Sequence, residues 1–95
     1  MTPKRLYKRI LKDLPDVSIE LAWMAGKRGH LSGDTVTVNP AYDIADTIIH
    51  EMLHRIYPEW DEAQVLTATG NIMDILTDAE VGEIVAWCPG IDWTG

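Results

Sequence analysis

The sequence predicts an α+β fold in which a small, mostly antiparallel sheet packs on three or four helices. Three observations carry this. The run Thr35-Val36-Thr37-Val38 is built of β-branched residues in strict polar and apolar alternation, the pattern of a half-buried strand. From about Tyr42 onward, Ile44, Ala45, Ile48, Ile49, Met52, Leu53 and Ile56 recur at helical spacing. Further on, Asp61 with Gln64 and Thr77 with Glu80 both have the capping-box spacing that opens a helix.

Taken in order, Thr2 caps a first helix with Pro3 at its first position. Leu6, Ile10, Leu11 and Leu14 fall on one face of it until Pro15 stops it. Val17 to Trp23 alternates imperfectly and is a weaker strand. Ala25 to Asp34 contains three glycines and is a long turn, so the two strands pair directly or around a third short one. Asn39-Pro40 ends the second strand, and Pro58 closes the long helix. The helix opened by Asp61 carries Val65, Leu66, Thr69, Ile72, Met73 and Leu76 on one stripe. A last short helix buries Val81, Ile84, Val85 and Cys88 before Pro89-Gly90, leaving Ile91 to Gly95 as a tail whose Trp93 docks on an apolar surface.

With 95 residues, nearly half of them apolar, the expectation is one domain over residues 1–95 with a small core. The lone Cys88 excludes a disulfide framework and a cysteine-rich metal site, so any metal must use histidine and carboxylate. No apolar run is long enough for a signal peptide or a membrane span, which points to a cytoplasmic protein. The first twelve residues hold five of the eight basic side chains and no acidic one. The rest carries all 15 acidic groups, which argues against nucleic acid as the main ligand.

The segment that carries chemistry is His50-Glu51-Met52-Leu53-His54. Histidines four apart on a helix present two imidazoles to one metal, and the glutamate between them reaches the attacking water. In a chain of this composition chance supplies about 0.006 such matches, so coincidence is a poor account of it. A catalytic zinc takes a third protein ligand. Glu59, Asp61, Glu62, Asp74, Asp78, Glu80 and Glu83 are the candidates downstream, and Glu62 leads. It precedes Val65 and Leu66 by three and four residues and so shares the face that packs toward the preceding helix. A carboxylate buried there needs a cation beside it. Asp61 reads as the N-cap but remains the competing ligand, and Glu59 reads as a loop residue. The plainer account of Glu62 is an acid favoured by the helix dipole.

With zinc on His50, His54 and Glu62, a coordinated water would have its pKa lowered to about 7, and Glu51 would take its proton and pass it to the leaving amine. Tyr57, three residues after His54, is a candidate oxyanion donor whose plainer reading is packing before Pro58. His30 in the glycine-rich turn and Asp46 one turn before His50 are weaker candidates, read more simply as exposed side chains.

The strand, the helix carrying His50-Glu51-Met52-Leu53-His54, the brief Tyr57-Pro58 turn and the helix opening at Glu62 together resemble the gluzincin metallopeptidases. They are most similar to the single-domain minigluzincins and to minimal zincin-like proteins of phage and bacteria. The resemblance covers roughly residues 34 to 76. It implies a minimal zincin-like fold, zinc ligation by His50, His54 and Glu62, and Glu51 as catalytic base. It also implies a peptide or protein substrate lying antiparallel along an edge strand, with Thr35 to Val38 in the corresponding position. The connection from His54 to Glu62 is very short, and no second domain forms the far wall of a cleft. Two other functions compete: a zinc-stabilised interaction module without catalysis, and a metal-free adaptor whose basic first helix contacts an acidic partner.

Overall fold

The computed structural model describes residues 2–22, 29–39 and 43–88. Helix α1 (Pro3–Asp13) begins where the Thr2 hydroxyl accepts from the Arg5 N–H, and a 3-10 turn at Leu14–Asp16 leads into strand β1 (Ser18–Leu21). Strands β2 (Gly29–Ser32) and β3 (Thr35–Val38) form a hairpin, followed by helices α2 (Ile44–Ile56), α3 (Glu62–Ile75) and α4 (Asp78–Val85). The expected α+β architecture, a small sheet packed on helices, is present. Both capping boxes read from the sequence are formed, at Asp61 with Gln64 and at Thr77 with Glu80.

The sheet has the order β1-β3-β2, with β3 antiparallel to β2 and parallel to β1. Thr35 to Val38 is therefore the central strand, and its expected place at an edge is corrected: neighbours occupy both its sides, and the edges belong to β1 and β2. Its composition explains the position, since β-branched residues suit the most crowded strand. Val36 and Val38 are fully buried, and Ile19 and Leu31 pair with Val36 on the same face. The opposite face, with Glu20, Thr37 and His30 side by side, is the polar one.

Helix α2 runs through the middle of the molecule, touching β2, β3, α1, α3 and α4. Ala45 and every residue from Thr47 to Leu53 are buried. Ile48, Ile49, Met52 and Leu53 supply the apolar core there, each contributing about 1.5–3 kcal/mol on burial. A helix wrapped on all sides is ordinarily apolar all round, yet this one also buries Thr47, His50 and Glu51. Thr47 is satisfied locally, its hydroxyl donating to the Asp43 carbonyl at 2.8 Å. The other two belong to the motif, whose third polar residue, His54, is half-buried. Cys88 is buried as expected, and the tail with Trp93 lies outside the described residues. Among the described residues no helix is long and apolar enough to cross a membrane.

Candidate metal centre

Helical spacing carries His50 and His54 onto one side of α2, with their rings 4.8 Å apart edge to face. The Nε2 atoms lie 3.2 Å from each other. The short Tyr57 to Trp60 turn then brings the first residue of α3 back over them. Glu62 Oε1 stands 2.8 Å from His50 Nε2, and Oε2 stands 3.1 Å from His54 Nε2. These three side chains are the one group of potential metal ligands that converges among the described residues. Asp61 is absent from it, because its carboxylate caps α3 by accepting from the Gln64 N–H at 2.8 Å.

Glu62 sits at the expected position for a different reason from the one its spacing suggested. Its side chain is 61% exposed rather than buried. The helix stripe does not force it inward; its carboxylate bends toward two imidazoles at the rim of the core. Exposure falls from Glu62 through His54 to His50, so the cluster opens toward solvent on the Glu62 side.

The donor set tests well against a metal. Two imidazole nitrogens and a carboxylate are the ligands of one class of catalytic zinc site. Zn–N bonds of about 2.0 Å at the tetrahedral angle separate donor atoms by about 3.3 Å, close to the 3.2 Å between the two Nε2 atoms. Protons alone satisfy the cluster poorly. If both Nε2 atoms carry hydrogen to donate to Glu62, two N–H groups crowd each other, and Nδ1 of His50 is left as a buried acceptor without a partner among the described residues. A cation at the point of convergence relieves the crowding.

Glu51, on the turn between the histidines, is 8% exposed. Burial is the main reason its carboxyl titrates above the ordinary carboxylate range. His50, His54 and His30 oppose that rise, and Glu62 reinforces it. The same groups place Glu51 within electrostatic range of the cluster. His30 is thus near enough to be felt, although it lies in β2 and not in a turn. Tyr57 caps the end of α2, and its ring stacks on Trp60 at 4.2 Å with the planes 10° apart, the packing role its position before Pro58 suggested.

Two residues of the site's frame escaped sequence reasoning. Gly29 lies against α2 so closely that a Cβ there would fall 2.5 Å from Thr47 Cγ2 and 3.4 Å from Glu51 Cγ. Arg55, next to His54, donates through Nε and Nη2 to Asp34 Oδ1 in the hairpin turn at 3.2 and 2.9 Å. Its Nη1 faces Asp13 at 3.7 Å. The only signal for either was a glycine where strand pairing was open and an arginine at the end of a helix.

No family model, curated protein or solved structure matches this chain. What the residues present is a His50-Glu51 and His54 motif joined in space by Glu62, consistent with an HExxH-type zinc-binding site in a small α+β fold.

Proposed function

We propose that this protein is a zinc-dependent peptidase of gluzincin type, with His50, His54 and Glu62 as ligands and Glu51 as general base. The observation that carries the reading is the convergence of two Nε2 atoms and one carboxylate within 2.8 to 3.2 Å beside a buried glutamate of raised pKa. Bound there, zinc supplies Lewis acidity, polarising a carbonyl and acidifying water. Glu51 receives the proton from the attacking water and delivers it to the leaving amine. A carboxyl with its pKa raised by burial suits both halves of that transfer. Tyr57 donates to the developing oxyanion.

The substrate, a peptide or an exposed protein loop, lies along β2. That is the edge strand packed on α2, and a Cβ built at its Gly29 would lie 3.4 Å from Glu51 Cγ. The whole chain acts as one zincin-like unit in the cytoplasm. A second reading, a zinc-stabilised interaction module, is favoured by one feature: the cluster joins α2 to the start of α3, so a metal there staples two helices.

Metal content of protein purified without added zinc, followed by a peptide-library cleavage screen, tests both. About one zinc per chain with hydrolysis that Glu51→Gln abolishes supports the peptidase. One zinc with no hydrolysis supports the module. No zinc, and none after loading, overturns both.

A further inference from the structure

Strand β2 is four residues long and has a sheet neighbour on one side only. Ser32 and Thr35 face each other across the two-residue turn Gly33-Asp34, in which Gly33 takes a φ of 57°. Such a turn makes Ser32 with Thr35 and His30 with Thr37 the hydrogen-bonded pairs, so the N–H and C=O of Gly29 and Leu31 point to the free edge. The carbonyl of Val38, the partner of Gly29, accordingly turns the other way and accepts from the Ala22 N–H at 3.0 Å. A hairpin strand this short needs more than β3 to fix its position.

Two contacts with α2 supply it. At one end of the strand Gly29 seats on Thr47. Beyond the other end, the Asp34 carboxylate accepts from Arg55 Nε and Nη2 at 3.2 and 2.9 Å. Thr47 and Arg55 are eight positions apart, about 12 Å along the helix. Strand and helix therefore run side by side in the same direction, and His50, Glu51 and His54 all lie between the two anchors. The Arg55 guanidinium is itself held. Its Nη1 faces Asp13 at 3.7 Å, and Asp13 also accepts from Arg9 Nε at 3.3 Å. Asp34 is tied to the sheet as well, its carbonyl accepting from the Ser18 N–H at 2.8 Å. One side chain thus fastens the hairpin turn to the helix that carries the motif.

We propose that Arg55 is a positioning residue: by gripping Asp34 it holds the free edge of β2, with the outward main-chain groups of Gly29 and Leu31, at the right distance from Glu51 for a substrate backbone. The inference rests on the peptidase reading, with its substrate along β2. Arg55 acts through Asp34 and the strand, not on the reacting atoms.

Steady-state hydrolysis of the hexapeptide cleaved fastest in a capped library, set beside zinc affinity measured against a chromophoric chelator, tests this on the full chain. Arg55→Ala and Asp34→Ala are each expected to raise KM about tenfold through loss of the charge-assisted pair. The kcat and the zinc affinity should stay within about twofold of wild type, the pattern of binding lost equally from ground and transition states. Asp34 is 75% exposed, so Asp34→Ala leaves thermal melting close to wild type and its KM reports the placement of the strand rather than unfolding. Arg55→Lys, which keeps the charge but not the fork, should recover part of the loss. An unchanged KM in both alanine variants overturns the positioning role and leaves the peptidase reading standing. Zinc affinity that falls in step with hydrolysis would make Arg55 a support for the adjacent His54, and also overturns it. A wild-type protein that holds zinc and cleaves no hexapeptide overturns the peptidase reading, and this role falls with it.

Discussion

Gly29 rests directly on Thr47: a Cβ built at residue 29 would lie 2.5 Å from Thr47 Cγ2 and 3.1 Å from the Thr37 carbonyl oxygen. Strand β2 can approach α2 that closely only because residue 29 has no side chain. The contact sits one helical turn before Glu51, whose Cγ is the next atom such a Cβ would meet. The depth at which the edge strand lies over Glu51 is thus set by a missing methyl group.

Gly29→Ala is expected to cost about 1–3 kcal/mol, the range for forcing a methyl into a filled core. Thr47→Ser removes the opposing Cγ2 while keeping the hydroxyl that donates to Asp43. Placed on top of Gly29→Ala, it should restore part of the loss. A double-mutant cycle by urea unfolding reads the coupling; additive effects would mean that the two residues do not meet.

Arg55 holds the other end of the hairpin. Its side chain is 21% exposed and touches two carboxylates, whereas Asp34 is 75% exposed and touches one cation. Arg55→Ala is expected to lower stability by about 1–2 kcal/mol, through the loss of a forked charge-assisted pair to Asp34 and the approach to Asp13. Asp34→Ala should cost less, within the range of about 0–1 kcal/mol for exposed pairs. Equal losses in the two variants would assign all of Arg55's contribution to the hairpin turn.

The helices were legible because their signals are local. Thr2, Asp61 with Gln64, and Thr77 with Glu80 each close hydrogen bonds within three residues. Thr35 to Val38 was legible as a strand, since four β-branched residues have few other places to go. Strand β2 was not. Gly29-His30-Leu31-Ser32 has no β-branched residue, and what makes it a strand is its pairing with β3 and its seat on Thr47, both of them distant in sequence. The same limit hid the centre of the sheet: strand propensity says that β3 exists, not that β1 joins its far side. At the candidate metal centre, spacing alone identified His50 and His54. Glu62 was reached through an argument from burial that its exposure does not bear out; the approach of its carboxylate to both histidines is a matter of the Tyr57 to Asp61 turn.

Glu51→Gln separates catalysis from metal binding. Glutamine keeps the shape of the side chain but cannot take a proton, so hydrolysis of a cleavable peptide should fall about 10²–10⁴-fold, the usual contribution of a general base. Zinc content should stay at the wild-type level, because the three converging ligands are untouched. Hydrolysis at the wild-type rate with zinc still bound would remove Glu51 from the mechanism.

Zinc should also stabilise the fold, since the three ligands come together only in the native state. At a free concentration about 100 times its dissociation constant, a metal adds about 2.7 kcal/mol, or roughly 10–20 °C in Tm for a chain of this size. Chelation should reverse the shift. His54→Ala should abolish it at modest cost to the metal-free protein, because the His54 side chain is 27% exposed and lies outside the fully packed core. A zinc-dependent rise that survives His54→Ala would locate the metal elsewhere.

The pH dependence of the metal-free protein reports on Glu51. Burial holds its carboxyl above the ordinary value of 4.5, so the native state keeps this proton at pH values where the unfolded chain has released it. Between those two values the native state binds more protons than the unfolded one, and its stability falls as pH rises. Above the window the full cost of an ionised, buried Glu51 is present; below 4.5 it is gone. Glu51→Gln lacks this group, so the difference in urea midpoint between the variant and the wild type should grow in the variant's favour as pH rises through the window. A difference that stays flat with pH would mean that Glu51 ionises in the folded protein as easily as it does in the unfolded chain. Its burial would then not be what prepares it to hold a proton.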